Sequence, residues 1–75
     1  MELKLFNIAV NNFADAIYSN SVFYQAYYAR GVCFETLGNI AQAEVDYTRS
    51  IEINPDYTYA IDALGILKKN NIKYK

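Results

Sequence analysis

The residues closest to a catalytic set in this chain are four carboxylates, Glu44, Asp46, Glu52 and Asp62. Two of them could share the acid–base work of a hydrolysis only if they were buried together. Helical spacing instead sets them on outward or partly exposed positions, the pattern of a solvated face. There is no histidine, so the commonest general base and metal ligand is missing. The single cysteine, Cys33, excludes an intrachain disulfide and a structural zinc site. Lying between Val32 and Phe34, it reads as a small core residue rather than a reactive thiol. None of the phosphate-cradling or nucleophile-elbow patterns, G-x-x-x-x-G-K, G-x-G-x-x-G or G-x-S-x-G, occurs. Eight tyrosines at helical spacing read as core and groove rather than as a cofactor box. The residues predict a protein that is not an enzyme and holds no cofactor or metal.

The elements that carry these residues are short. Seventy-five residues allow one domain, and a chain of this size buries only about 60% of its unfolded surface. A stability of a few kcal/mol is expected unless something else covers its apolar faces. The net charge is −1, with eight tyrosines and four phenylalanines. Disorder is therefore not expected, nor is a nucleic-acid or anionic-membrane surface, which needs clustered cations. Lys68, Lys69, Lys73 and Lys75 crowd the C-terminal end. They read as a solvated tail that favours a helix C-terminus, or else as one side of a head-to-tail contact with a neighbouring molecule. Before Asn7 there is one lysine and no sustained apolar run, so no signal peptide is expected. No apolar run approaches the ~20 residues of a membrane span, and the chain is read as cytoplasmic.

Apolar periodicity predicts four helices and an all-α fold. In the first, at 3–19, Phe6, Val10, Phe13 and Ile17 fall on one face with Ala9 and Ala16 beside them. Ser19, Asn20 and Ser21 then punctuate the chain. The second, at 23–37, puts Tyr24, Tyr27, Gly31 and Phe34 on one stripe. A mid-helix glycine such as Gly31 costs up to about 1 kcal/mol relative to alanine, and it marks a close approach by a neighbouring helix. Gly38 suits a left-handed stop. Asn39 with Gln42 three residues later resembles a capping box. The third helix, at 40–53, turns Ile40, Ala43, Tyr47, Ser50 and Ile51 inward and Glu44, Thr48 and Glu52 toward water. Asp46 is within reach of Arg49 at i,i+3. Asn54 and Pro55 end this helix. The fourth, at 57–70, carries Ala60, Ile61, Leu64, Gly65 and Leu67, and residues from 71 onward are expected to fray. Short links favour antiparallel neighbours.

A shift of 34 residues lays the chain on itself: Ala9 falls on Ala43, Ile17 on Ile51, Asn20 on Asn54, Ala26 on Ala60, Ala29 on Ala63 and Gly31 on Gly65. Phe13 falls on Tyr47 in the same frame. Such a period marks stacked helix pairs. The stretch Tyr27, Arg30, Gly31, Phe34, Ala43, Tyr47, Ser50, Pro55 resembles the tetratricopeptide repeat family, with Arg30 in place of a leucine and Ser50 in place of an alanine. By that resemblance residues 24–57 are a complete repeat. Residues 3–21 match only the second-helix half, through Ala9, Phe13 and Ala16, with Ser21 in the proline's place. Residues 58–71 match only the first-helix half, through Leu64 and Gly65, with Ile61 and Lys68 replacing the aromatics. Residues 72–75 are a tail. A plain four-helix bundle would need neither the repeated glycine nor the fixed spacing.

The resemblance implies a concave groove, lined by first helices, that holds a peptide or helix of a partner protein. Its candidate residues are Gln25, Tyr28, Val32, Glu35 and Thr36 on the second helix, with Tyr59, Asp62, Ile66, Lys69 and Asn70 on the fourth. Some family members grip acidic chaperone tails through lysine, arginine and asparagine. Tyr28, Val32, Tyr59 and Ala63 stand in those places here, so no such partner is expected. The ends carry a second reading. Phe6, Val10, Phe13 and Ile17 cannot all be covered by the second helix, and Ile61, Leu64 and Leu67 make the last helix apolar for a cap. Burying both faces is worth several kcal/mol at about 25 cal/mol per Å2, which predicts a homo-oligomer formed by stacking or helix exchange.

Overall fold

The computed structural model describes residues 3–72. It contains four helices, α1 (Leu3–Ser19), α2 (Tyr24–Thr36), α3 (Ile40–Ile53) and α4 (Thr58–Ile72), and no strand among the described residues. Each boundary falls within two residues of the one expected. Asn71 and Ile72, expected to fray, still belong to α4, whereas Lys73, Lys75 and the rest of the tail lie outside the described residues.

The turns show why the chain reverses where it does. Asn20 ends α1 by accepting the Val22 N–H on Oδ1 at 3.2 Å, and its carbonyl accepts the Phe23 N–H at 3.1 Å. Asn54, 34 residues on, does the same after α3, with the Asp56 N–H on Oδ1 at 3.1 Å and the Tyr57 N–H on its carbonyl at 3.1 Å. Asparagine suits both sites because its side chain mimics a backbone turn. The turn after α2 is built differently. Gly38 takes φ +85°, its N–H donates to the Glu35 carbonyl, and the Asn39 N–H donates to the Phe34 carbonyl at 2.8 Å. These two bonds form a Schellman stop, which requires a left-handed residue. The expected capping box does not form: Asn39 stands at the N-cap of α3 without a side-chain bond to the helix. The φ −91°, ψ 73° that carries the chain straight from the Schellman stop into α3 is the geometry found there instead.

Each helix packs on the next in sequence, and the α2–α3 pair is the most extensive contact. The array is flat, with principal extents of 37 × 32 × 16 Å, so only its middle is enclosed. Ala26, Gly31 and Cys33 of α2 are buried, as are Ala43, Asp46, Tyr47 and Ser50 of α3. Burial pushes the Cys33 thiol above its ordinary pKa, which keeps it protonated and inert. On α4, Ala60 and Leu67 are buried.

The α2–α3 contact depends on Gly31. A Cβ there would stand 2.7 Å from Tyr47 Cε1 and 2.8 Å from Cδ1, so the Tyr47 ring occupies the space a side chain would need. Around this contact the two helices exchange three polar links. Arg30 donates from Nε and Nη2 to the two Asp46 carboxylate oxygens, both at 2.8 Å. Tyr47 donates its hydroxyl to Glu35 Oε1 at 2.8 Å. Ser50 donates its hydroxyl to the Tyr24 carbonyl at 2.9 Å.

Two expectations about α3 are thereby corrected. Asp46 is not an outward acid beside Arg49. It is 1% exposed and faces α2, because the Arg30 fork supplies two charge-assisted bonds that a solvated i,i+3 partner could not match. Arg49 pairs at the surface with Glu52 at 3.3 Å. Glu44 and Thr48, expected to face water, are half-buried.

Candidate functional site

Tyrosines dominate the surface shared by α2, the α3–α4 turn and α4. Tyr28 sits at their centre, with ring centroids 5.6 Å from Tyr57, 5.9 Å from Tyr47 and 6.1 Å from Tyr59. Tyr57 in turn stacks edge-on against Tyr24 at 4.8 Å and Tyr59 at 5.6 Å. Edge-to-face pairs of this kind add about 0.5–1.5 kcal/mol beyond the area they bury, so the cluster is a fixed wall.

Beside this wall, α2 and α4 diverge and leave an open cleft of about 430 Å3 lined by Tyr28, Val32, Glu35, Thr36, Tyr47, Ala63 and Ile66. Spacing at i, i+4 and i+7 on α2 brings Tyr28, Val32 and Glu35 to one edge. Ala63 and Ile66, one turn apart on α4, form the other. The floor is Tyr47 of α3, whose ring reaches through the gap over Gly31. Burial, and then its bond to Glu35, pushes the Tyr47 hydroxyl well above its ordinary pKa, so it stays a donor. Thr36 spends its hydroxyl on the Val32 carbonyl at 2.9 Å. Glu35 is the charged side chain of the lining.

Of the residues expected in the groove, the fold brings Tyr28, Val32, Glu35, Thr36 and Ile66 together in this cleft. Tyr59 stands at its rim, two-thirds exposed, with its ring against Tyr28 and Tyr57. Gln25, Asp62, Lys69 and Asn70 are exposed outside the lining. Helical spacing overlooked two contributors. Tyr57 precedes α4 and enters through the turn, and Tyr47 was assigned wholly to the core. The 34-residue shift lays Tyr57 on the aromatic Phe23, which is the signal that could have found it.

On the end faces, Phe6, Val10, Phe13 and Ile17 are all half-buried, as is Leu64, and Ile61 is 40% exposed. Leu67 corrects the expectation made for it. It is buried in the cluster with Ala43 and Tyr47, because it lies on the face of α4 turned toward α3. Among the described residues no group of three or more His, Cys, Asp and Glu could hold a metal ion, and no helix is long and apolar enough to cross a membrane. Asp46 is committed to Arg30, which leaves no adjacent pair of carboxylates among the four acids to share a proton.

Comparison with known families gives one match: the tetratricopeptide repeat model covers residues 24–57, the span from the start of α2 to the turn before α4. The chain belongs to the tetratricopeptide repeat family. No curated protein and no solved structure matches it. Tetratricopeptide repeats are generally non-catalytic interaction modules, and this chain is accordingly a protein-interaction module. Both departures of the repeat from its usual residues have a structural reason. Arg30 replaces an apolar residue where Asp46 faces it, and its guanidinium also lies 5.8 Å from the Tyr27 ring and 5.7 Å from the Phe34 ring. Ser50 is as fully buried as an alanine would be and returns its hydroxyl to the opposite helix.

Proposed function

We propose that this tetratricopeptide repeat protein is a non-catalytic module that captures a peptide or helix of a partner protein in the cleft between α2 and α4. The observation that carries this reading is the cleft itself. It has a rigid tyrosine wall, two aliphatic edges in Val32 and Ile66, and a single carboxylate. Tyrosine offers large contact area at little entropic cost, and the pattern suits an apolar segment that places an N–H or a basic group near Glu35. An acidic tail finds no cation in the lining, and no nucleic acid or membrane is part of this reading. The module is placed in the cytoplasm.

Selection from a random peptide library tests it. Peptides that bind the wild-type chain should lose at least tenfold in affinity on Ile66→Ala, a 58% exposed position whose loss leaves the core intact. They should be indifferent to Val45→Ala on the outer face of α3. Binding that survives Ile66→Ala and fails with Val45→Ala would place the partner elsewhere.

A second reading is self-association. It is favoured by the half-buried apolar face of α1 and by the uncovered Ile61 and Gly65 of α4. Light scattering after size exclusion distinguishes an assembly from a monomer.

A further inference from the structure

Gly65 on α4 holds an empty place of the kind that Tyr47 fills on α2. At Gly31 a Cβ would meet the Tyr47 ring at 2.7 Å, whereas at Gly65, 34 residues on, it would meet nothing within 4 Å. The residue 34 before Tyr47 is Phe13, half-buried on α1. We propose that α1 of a second copy docks on α4 as α3 docks on α2, with Phe13 over Gly65. The last helix of one chain and the first of the next then form a helix pair across the junction. The proposal rests on the self-association reading above and fixes its register.

The two faces are matched to each other in more than shape. Inside the chain, Arg30 and Asp46 bridge α2 and α3; their counterparts on α4 and α1 are Leu64 and Asn12, so both charges are gone together. The Tyr47 hydroxyl needs Glu35 as acceptor. At the junction Phe13 has no hydroxyl to place, and Lys69 in Glu35's register carries its charge out to solvent. Ser50 bonds a carbonyl of α2, and its counterpart Ala16 has nothing to bond. Each polar link of the intrachain pair is thus removed at both of its side-chain ends, or at its only one. Docking therefore buries no orphaned donor or acceptor, the condition an apolar seam must meet.

The two faces differ, so the contact is heterologous. Every copy that uses its α4 still presents its α1, and copies add head to tail until a rotation closes them.

Sedimentation velocity over a wide concentration series, with two variants, tests the register. The wild-type mass should rise with concentration without stopping at a dimer. Gly65→Ala fills the seat and should weaken association at least tenfold while its helical signal at low concentration persists. Phe13→Asp should do so from the α1 side; if it does not fold, Asn12→Arg at an exposed position replaces it. Mixed together, the variants bring one intact face each and should form a 1:1 dimer that grows no further. Undiminished assembly of Gly65→Ala, or a mixture of folded variants that stays monomeric while the wild type assembles, overturns the register but leaves self-association standing. A wild-type chain that stays monomeric throughout overturns both, and leaves the two faces to some other protein.

Discussion

The α2–α3 pair and the two outer helices carry related residues in the same frame, yet they end up in opposite environments. Tyr47 is 1% exposed and Phe13 is only half-buried; Gly31 is buried and Gly65 is open to solvent. Residue type does not separate these positions. What separates them is whether a helix lies on both sides, which is true of α2 and α3 and of neither α1 nor α4 among the described residues. A helical repeat acquires its core from its neighbours, and a face without one stays wet whatever it is made of.

The sharpest way to break the contrast is at its polar centre. Arg30→Leu strands the Asp46 carboxylate, 2% exposed at its side chain, without its partner. Losing one member of a buried pair costs about 3–5 kcal/mol, enough to unfold a chain of this size. Urea unfolding should show the loss, and Arg30→Leu/Asp46→Leu should recover most of it, because no charge is then buried. An equal loss in both variants would show that packing, not charge, dominates the site.

The glycines give the next largest effect, and it has opposite signs. Gly31→Ala drives a methyl into a ring that is held by its own hydroxyl bond. It should cost about 1–3 kcal/mol as overpacking. Gly65→Ala meets open space, and in dilute monomer should gain up to about 1 kcal/mol from helix propensity alone. Thermal melts of the two variants side by side decide it; equal shifts would remove the basis of the comparison.

Smaller still is the hydroxyl. Tyr47→Phe, which gives α3 the ring that α1 already has, should cost about 0.5–1.5 kcal/mol at neutral pH. The folded chain holds the Tyr47 pKa above its ordinary value of about 10, so the hydroxyl's contribution is complete below that pH and fades as pH rises above it. Melting temperatures taken between pH 8 and pH 11 should therefore converge for the wild type and Tyr47→Phe. Tyr57, raised by burial, adds a decline of the same sign to both.

Much of the fold was legible because its signals are local. Apolar periodicity located all four helices, Gly38 announced a left-handed stop, and Asn20 and Asn54 announced two identical turns. Gly31 disclosed a close approach before the approaching ring was known. The cleft was partly legible, since Tyr28, Val32, Glu35 and Ile66 follow from helical spacing once the concave side is chosen. Misreadings arose wherever a side chain had two available partners. Asp46 could reach Arg49 along its own helix or Arg30 across the interface, and spacing alone favours the nearer. Leu67 could belong to an end face or to the core, and a rotation of α4 by a fraction of a turn separates those outcomes. Asn39 could cap α3, but the Schellman stop had already fixed the backbone entering it.

The sequence by itself determined the helices, the turns between them and the 34-residue frame, because each is set by residues within about one turn of each other. Only the tertiary structure decided which acid is buried, which glycine is filled and which tyrosines face the cleft. Those outcomes depend on the distance between helices and on their rotation about their own axes, and both are fixed only when every side chain of the interface is placed at once.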